Sequence, residues 1–143
     1  MTKGKKKTEP SGVTTPEQVD QFERIAKQLV ALHAEFAAHA KSKADNPINK
    51  FKVKMLNEKI VAANQILAGV FKPFDGFAQF DEDELPTNSD VSLVLTTYLA
   101  SLERWRSAHV EYDDDMHDDW FWRTRDRLTI KAEAATRYTP EEK

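Results

Sequence analysis

All four histidines of the sequence fall in two short stretches, His33 with His39 and His109 with His117. Glu35 stands four positions before His39, and Asp113 stands four from both His109 and His117. Side chains four apart share a face of a helix. Imidazoles and carboxylates converging inside a helical bundle are the ligands a zinc, iron or manganese centre needs. If the first and third helices run parallel, His33 and His109 lie about seventeen and twenty residues into their helices, a mismatch of about 5 Å in rise. His33, His39, His109, Asp113 and His117 are then the candidate ligands, with a metal-dependent enzyme as the reading they would support. Two points weigh on the other side. The doubled Glu-x-x-His of di-iron bundles is missing, and only Asp114-x-x-His117 approaches it. Histidine also suits helix C-termini, where a partial positive charge meets the dipole. Hydrogen-bonded histidines without metal are the favoured reading, and no cofactor is expected.

A second pair lies in Arg104-Trp105-Arg106-Ser107-Ala108-His109. Its Arg-x4-His spacing resembles the signature of HEPN-type ribonucleases, which are small all-α dimers. The resemblance implies that Arg104 and His109 would act on an RNA phosphodiester. It covers two residues of 143, and Trp105 stands where the family usually carries a polar residue.

The charge map points elsewhere. The net charge is −3, but it is distributed in blocks. Residues 1–13 carry Lys3, Lys5, Lys6 and Lys7 against Glu9, and 41–59 carry six lysines against Asp45 and Glu58. Residues 81–90 hold Asp81, Glu82, Asp83, Glu84 and Asp90, and 111–119 hold Glu111, Asp113, Asp114, Asp115, Asp118 and Asp119. The lysine block could meet nucleic-acid phosphates, but only Lys50 and Lys54 share a helical face, so nucleic acid is not the favoured partner. Trp120-Phe121-Trp122 beside Arg123, Arg125 and Arg127 could stack on bases; closing a small core is the commoner use of such aromatics. There is no cysteine, which excludes disulfides, thiolate zinc sites and cysteine nucleophiles and fits a reducing compartment. No apolar run is long enough to cross a bilayer. The basic start, with no apolar segment behind it, does not read as a secretory signal. A cytoplasmic protein with no membrane association is expected.

The elements that must position these residues read as helices. Thr15-Pro16-Glu17-Gln18 is a capping box with proline at the first helical position. The stripe Val19, Phe22, Ile25, Leu29, Phe36 follows it at helical period and should end near Lys41–Lys43. Asn46-Pro47 repeats the start signal, and Phe51, Met55, Leu56, Ile60, Ala63 and Leu67 give a second stripe, with Gly69 as its stop. Residues 71–88 have no helical period; Phe71, Phe74, Phe77 and Phe80 recur at every third position, as anchors over the bundle or as a partner-binding segment. Asn88-Ser89-Asp90 opens a third helix with the stripe Val91, Leu95, Tyr98, Leu102, Trp105, His109 and Tyr112. Residues 120–138 match a strand at period two, but the AEAA stretch and the absence of a partner strand favour a shorter fourth helix.

The sequence therefore predicts an all-α fold. It is a small helical bundle of three long helices plus a shorter C-terminal helix, up-down-up with a long aromatic and acidic crossing loop. Residues 1–14 are read as a disordered basic tail, 15–138 as one bundle domain and 139–143 as a frayed end. With no catalytic motif beyond the weak pairs above, the expected function is non-enzymatic. Acidic and aromatic surfaces, with Phe74, Phe77, Phe80, Asp113, Asp114 and Asp115 as candidates, engage a protein partner or a second copy of the chain.

Overall fold

The computed structural model describes residues 13–114, 118–124 and 130–135. Most of the basic tail, together with Asp115, His117, Arg125, Arg127, Leu128 and residues 136–143, lies outside the described residues. Among the described residues there are three α-helices, α1 (Pro16–Lys43), α2 (Lys50–Ile66) and α3 (Asn88–Ala108), followed by a two-stranded antiparallel sheet, β1 (Val110–Asp113) and β2 (Asp119–Trp122). No described helix is long and apolar enough to cross a membrane. The chain divides into two compact units. One is Gln21–Leu102; the other joins the described residues before Gln21 to those from Glu103 onward.

In the first unit the caps set the boundaries. The α2 start differs from the expected Asn46-Pro47, because Asn49 is the residue whose side chain accepts the Lys52 amide, at 2.8 Å. At α3 the cap is Thr87, which exchanges two hydrogen bonds with Asp90: the Asp90 amide to Thr87 Oγ1 and the Thr87 amide to Asp90 Oδ2. That is a reciprocal box placed one residue earlier than the sequence suggested.

Helix direction also differs from expectation. Asn88 Nδ2 donates to the Lys43 carbonyl, and His33 bonds Thr96, so the end of α1 meets the start of α3 and the two helices run antiparallel. Residues 46–48 pair with 86–88 through Asn88 N–H to Asn46 O and Ile48 N–H to Pro86 O, which fastens the starts of α2 and α3 together. Asn64 on α2 meets Tyr98 on α3, so these two run parallel. The order is up-down-down. The loop between α2 and α3 is long enough to travel back along α2 before α3 begins, and only a short loop would force antiparallel neighbours.

The α1 stripe is buried as expected at Phe22, Ile25, Leu29 and Phe36, and α3 buries Val91, Leu95, Tyr98 and Leu102. On α2 the expected stripe is buried at Leu56, Ile60, Ala63 and Leu67, and only its first two members turn outward. Val53, Leu56, Asn57, Ile60 and Ala63 face inward, while Phe51 is 70% exposed and Met55 39%.

The chain is mostly helical, as expected, but the second unit carries a small two-stranded sheet where a fourth helix was expected. The stretch from Asp119 to Trp122 is a strand, and its partner is the segment immediately after α3: Val110 opposes Trp122 and Tyr112 opposes Trp120. Residues 130–132 add to the other edge, with Trp122 N–H to Ile130 O and Ala132 N–H to Trp120 O. No described residue after Trp122 is helical, AEAA at 132–135 included. The first described residues reach the end of this sheet. Thr14, read from sequence as tail, is 1% exposed and gives both its amide and its hydroxyl to the Arg123 carbonyl.

Candidate functional site: an acidic groove beside the phenylalanine loop

Two asparagines on α2 hold the loop in place. Asn57 and Asn64 are seven apart, two helical turns, and so share a face. The Asn57 amide behaves as a strand partner: Nδ2 donates to the Phe80 carbonyl and Oδ1 accepts the Phe80 N–H, both at 2.9 Å. Asn64 Nδ2 donates to the Ala78 carbonyl, and its Oδ1 accepts the Tyr98 hydroxyl at 2.7 Å. Burial pushes the Tyr98 phenol up, against a smaller lowering by that bond, so the hydroxyl keeps its proton to donate.

Phe74, Phe77 and Phe80 then pack edge to face, with centroids 5.5 and 5.1 Å apart, and Tyr98 completes the cluster. Phe80 is buried; Phe74 and Phe77 are half-buried. Three of the four regularly spaced phenylalanines, Phe74, Phe77 and Phe80, thus anchor the loop. Past Phe80 the chain makes an acidic turn, with the Asp83 amide on Asp81 Oδ1 and the Glu84 amide on the Asp81 carbonyl.

A groove of about 550 Å³ opens between this turn and the first turns of α3. Phe77, Phe80, Leu85, Leu93 and Val94 give it apolar walls, and Asp81, Glu84 and Asp90 supply carboxylates around them. Leu93 is 67% exposed and Leu85 39%. Neither leucine was singled out by sequence, since Leu85 stands between Glu84 and Pro86 and Leu93 is masked by its apolar neighbours Val91, Val94 and Leu95. The available signal was Leu93's place off the α3 core stripe.

Among the described residues, which leave out His117, the histidines are not brought together in one cluster. Antiparallel α1 and α3 remove the shared end on which such a cluster depended. His33 Nε2 lies 2.9 Å from Thr96 Oγ1. That hydroxyl spends its proton on the Ser92 carbonyl, so His33 donates. His39 stands 3.8 Å from Glu35 and edge-on to Phe36. Among the described residues no group of three histidine, aspartate or glutamate side chains could hold a metal ion. Asp113 is half-buried in β1, paired in register with Asp119, and Asp114 is exposed in the turn beyond it.

His109 is 8% exposed, stacked on Trp105 with centroids 4.3 Å apart, and its Nδ1 donates to the Trp105 carbonyl at 2.6 Å. Its pKa is lowered, first by burial and then by the charge of Arg123, against a raising backbone bond. Arg104 is half-buried on α3. The arginine that sequence reasoning missed is Arg106, 8% exposed, which donates to Glu103 and to the carbonyls of Glu133 and Ala134. It fastens the last described segment to the end of α3. Arg123 acts similarly, donating to Glu111 at 3.0 Å and to the Ala108 carbonyl at 2.8 Å.

No protein-family model, curated protein or solved structure matches this chain.

Proposed function

We propose that this chain is a non-enzymatic interaction protein whose groove beside the phenylalanine loop captures a basic, apolar-bearing segment of a protein partner. The observation that carries this reading is the exposure of Leu93 and Leu85 on groove walls set among Asp81, Glu84 and Asp90. Exposed leucines reward an apolar anchor, while the carboxylates steer positive charge toward it and disfavour acidic partners. The Asn57 and Asn64 bonds favour this use because they fix the loop before any partner arrives, which lowers the ordering cost of binding.

A titration of the full chain with an amphipathic peptide rich in lysine and leucine, followed by amide chemical shifts, tests the reading. Shifts confined to residues 77–94, with an affinity that falls as salt rises, are expected. Leu93→Ser should weaken binding about tenfold, the cost of losing one apolar anchor. Binding that is absent, or indifferent to Leu93→Ser, overturns the proposal.

A further inference from the structure

We infer that the segment seated in this groove is the outer face of α2 from a second copy of the chain, forming a closed two-fold dimer. This inference rests on the groove reading above and names its occupant.

The outer face of α2 has the complementary chemistry. Phe51, at 70%, is the most exposed large apolar side chain among the described residues, and Met55, at 39%, stands four positions on and shares its face. Lys54 is exposed beside them. Residues 41–59 carry a net +4, and 81–90 a net −5. Leu93, nearly as exposed as Phe51, is the apolar centre of the acidic side. The molecule thus presents two apolar centres of opposite charge, and each has what the other needs.

Their placement decides between a chain of copies and a closed pair. The two patches belong to one compact unit. They meet at a border marked by the Lys50–Asp83 pair, 3.7 Å apart. Lys50 directly precedes Phe51, and Asp83 lies between the groove residues Asp81 and Glu84. A two-fold axis near that border sets each Phe51 face over the other copy's groove and each groove over the other's Phe51 face. That is the self-complementary arrangement of an isologous dimer. Association on one face only would leave the second pair of patches exposed, which such a surface disfavours.

Sedimentation of the full chain from low micromolar to several hundred micromolar tests this. A monomer–dimer equilibrium with no larger species is expected, weakened about tenfold between about 0.05 M and about 0.5 M salt. Phe51→Ser and Leu93→Ser, both at exposed positions, should each weaken the dimer at least about tenfold with unchanged melting. Lys54→Glu and Glu84→Lys should each weaken it alone, and an equimolar mixture of the two variants should associate again, because each interface of the mixed dimer regains opposite charges. A single monomeric mass throughout, a dimer indifferent to Phe51→Ser and Leu93→Ser, or an open series of oligomers overturns the inference. If the chain is monomeric yet the lysine-leucine peptide still binds at residues 77–94, self-docking falls and the groove reading stands. If neither associates, both fall.

Discussion

The two units of the chain fasten irregular backbone in chemically different ways. In Gln21–Leu102, the side-chain amides of Asn57 and Asn64 hold the phenylalanine loop against α2. In the other unit, the guanidinium groups of Arg106 and Arg123 hold peptide carbonyls at Glu133, Ala134 and Ala108. An amide supplies both a donor and an acceptor and can stand in for a strand, whereas a guanidinium supplies donors only. Phe80, with its own N–H and C=O both in need of partners, therefore meets an asparagine. The segment at 133–134, offering two adjacent carbonyls, meets an arginine. The amide clamps carry no charge, so salt and pH should leave them alone. The arginine clamps sit beside a buried histidine and should not share that indifference.

The largest test removes the apolar support of the charged unit. Trp105 is 6% exposed, stacks on His109 and lies 6.0 Å from Trp122 by ring centroid. Trp105→Ala should cost about 3–5 kcal/mol. Hydrogen exchange should show the loss at β1 and β2 before α2. A variant melting within a degree or two of the parent would remove Trp105 from the core.

Arg106→Met comes next. It keeps much of the buried stem but leaves the carbonyls of Glu133 and Ala134 and the carboxylate of Glu103 without this donor, a loss of about 2–4 kcal/mol. Denaturant midpoints measure it. Asn57→Ala strips the buried Phe80 N–H and C=O of their partner and should cost about 1–3 kcal/mol, with the same loss at low and high salt. If Asn57→Ala proves more costly than Arg106→Met, the ranking of charged over neutral clamps is reversed.

How much of this was legible can be read from the same residues. The Thr15/Gln18 box, the α1 stripe and the α3 stripe through Trp105 were plain in the sequence, because local spacing alone decides them. Asn57 was not, since a buried amide is recognised only by the backbone it serves. Phe51 and Met55 imitate a core pair at helical spacing, so the expected α2 stripe began two members too early, while Leu56, Ile60, Ala63 and Leu67 are buried as expected. β1 was hidden because Tyr112 continues the helical stripe of α3, which left the strand at 119–122 without a visible partner in the sequence. Helix direction depended on where a long loop returns, and only long-range bonds such as Ile48 to Pro86 settle that. The groove inherits both difficulties: its loop was visible by composition, while Leu85 and Leu93 become neighbours only after α3 starts beside α2.

The smallest effect expected is also the one specific to the charged unit. Burial lowers the pKa of His109, and Arg123 adds to that lowering, while the bond to the Trp105 carbonyl opposes it. In the unfolded chain the imidazole titrates near its ordinary value, about 6.5. Below that value the unfolded chain therefore binds a proton that the folded chain still refuses, and stability must rise with pH across the window between the two values. The contribution is complete above about 6.5, is lost as pH falls toward the folded value, and is flat beneath it. Protonation would place a charge in a stack with Trp105 and beside Arg123, whose own amide donates to the His109 carbonyl. The strand pair should therefore loosen first. Urea midpoints measured between about pH 5 and 7.5 should fall on acidification in the parent. The fall should persist when His33, His39 and His117 are replaced by glutamine, and it should flatten in His109→Phe, which preserves a ring against Trp105 but cannot titrate. A slope untouched by His109→Phe would place the titrating group elsewhere. A chain that gains stability on acidification across this window would contradict the neutral, buried His109 on which the contrast between the two units depends.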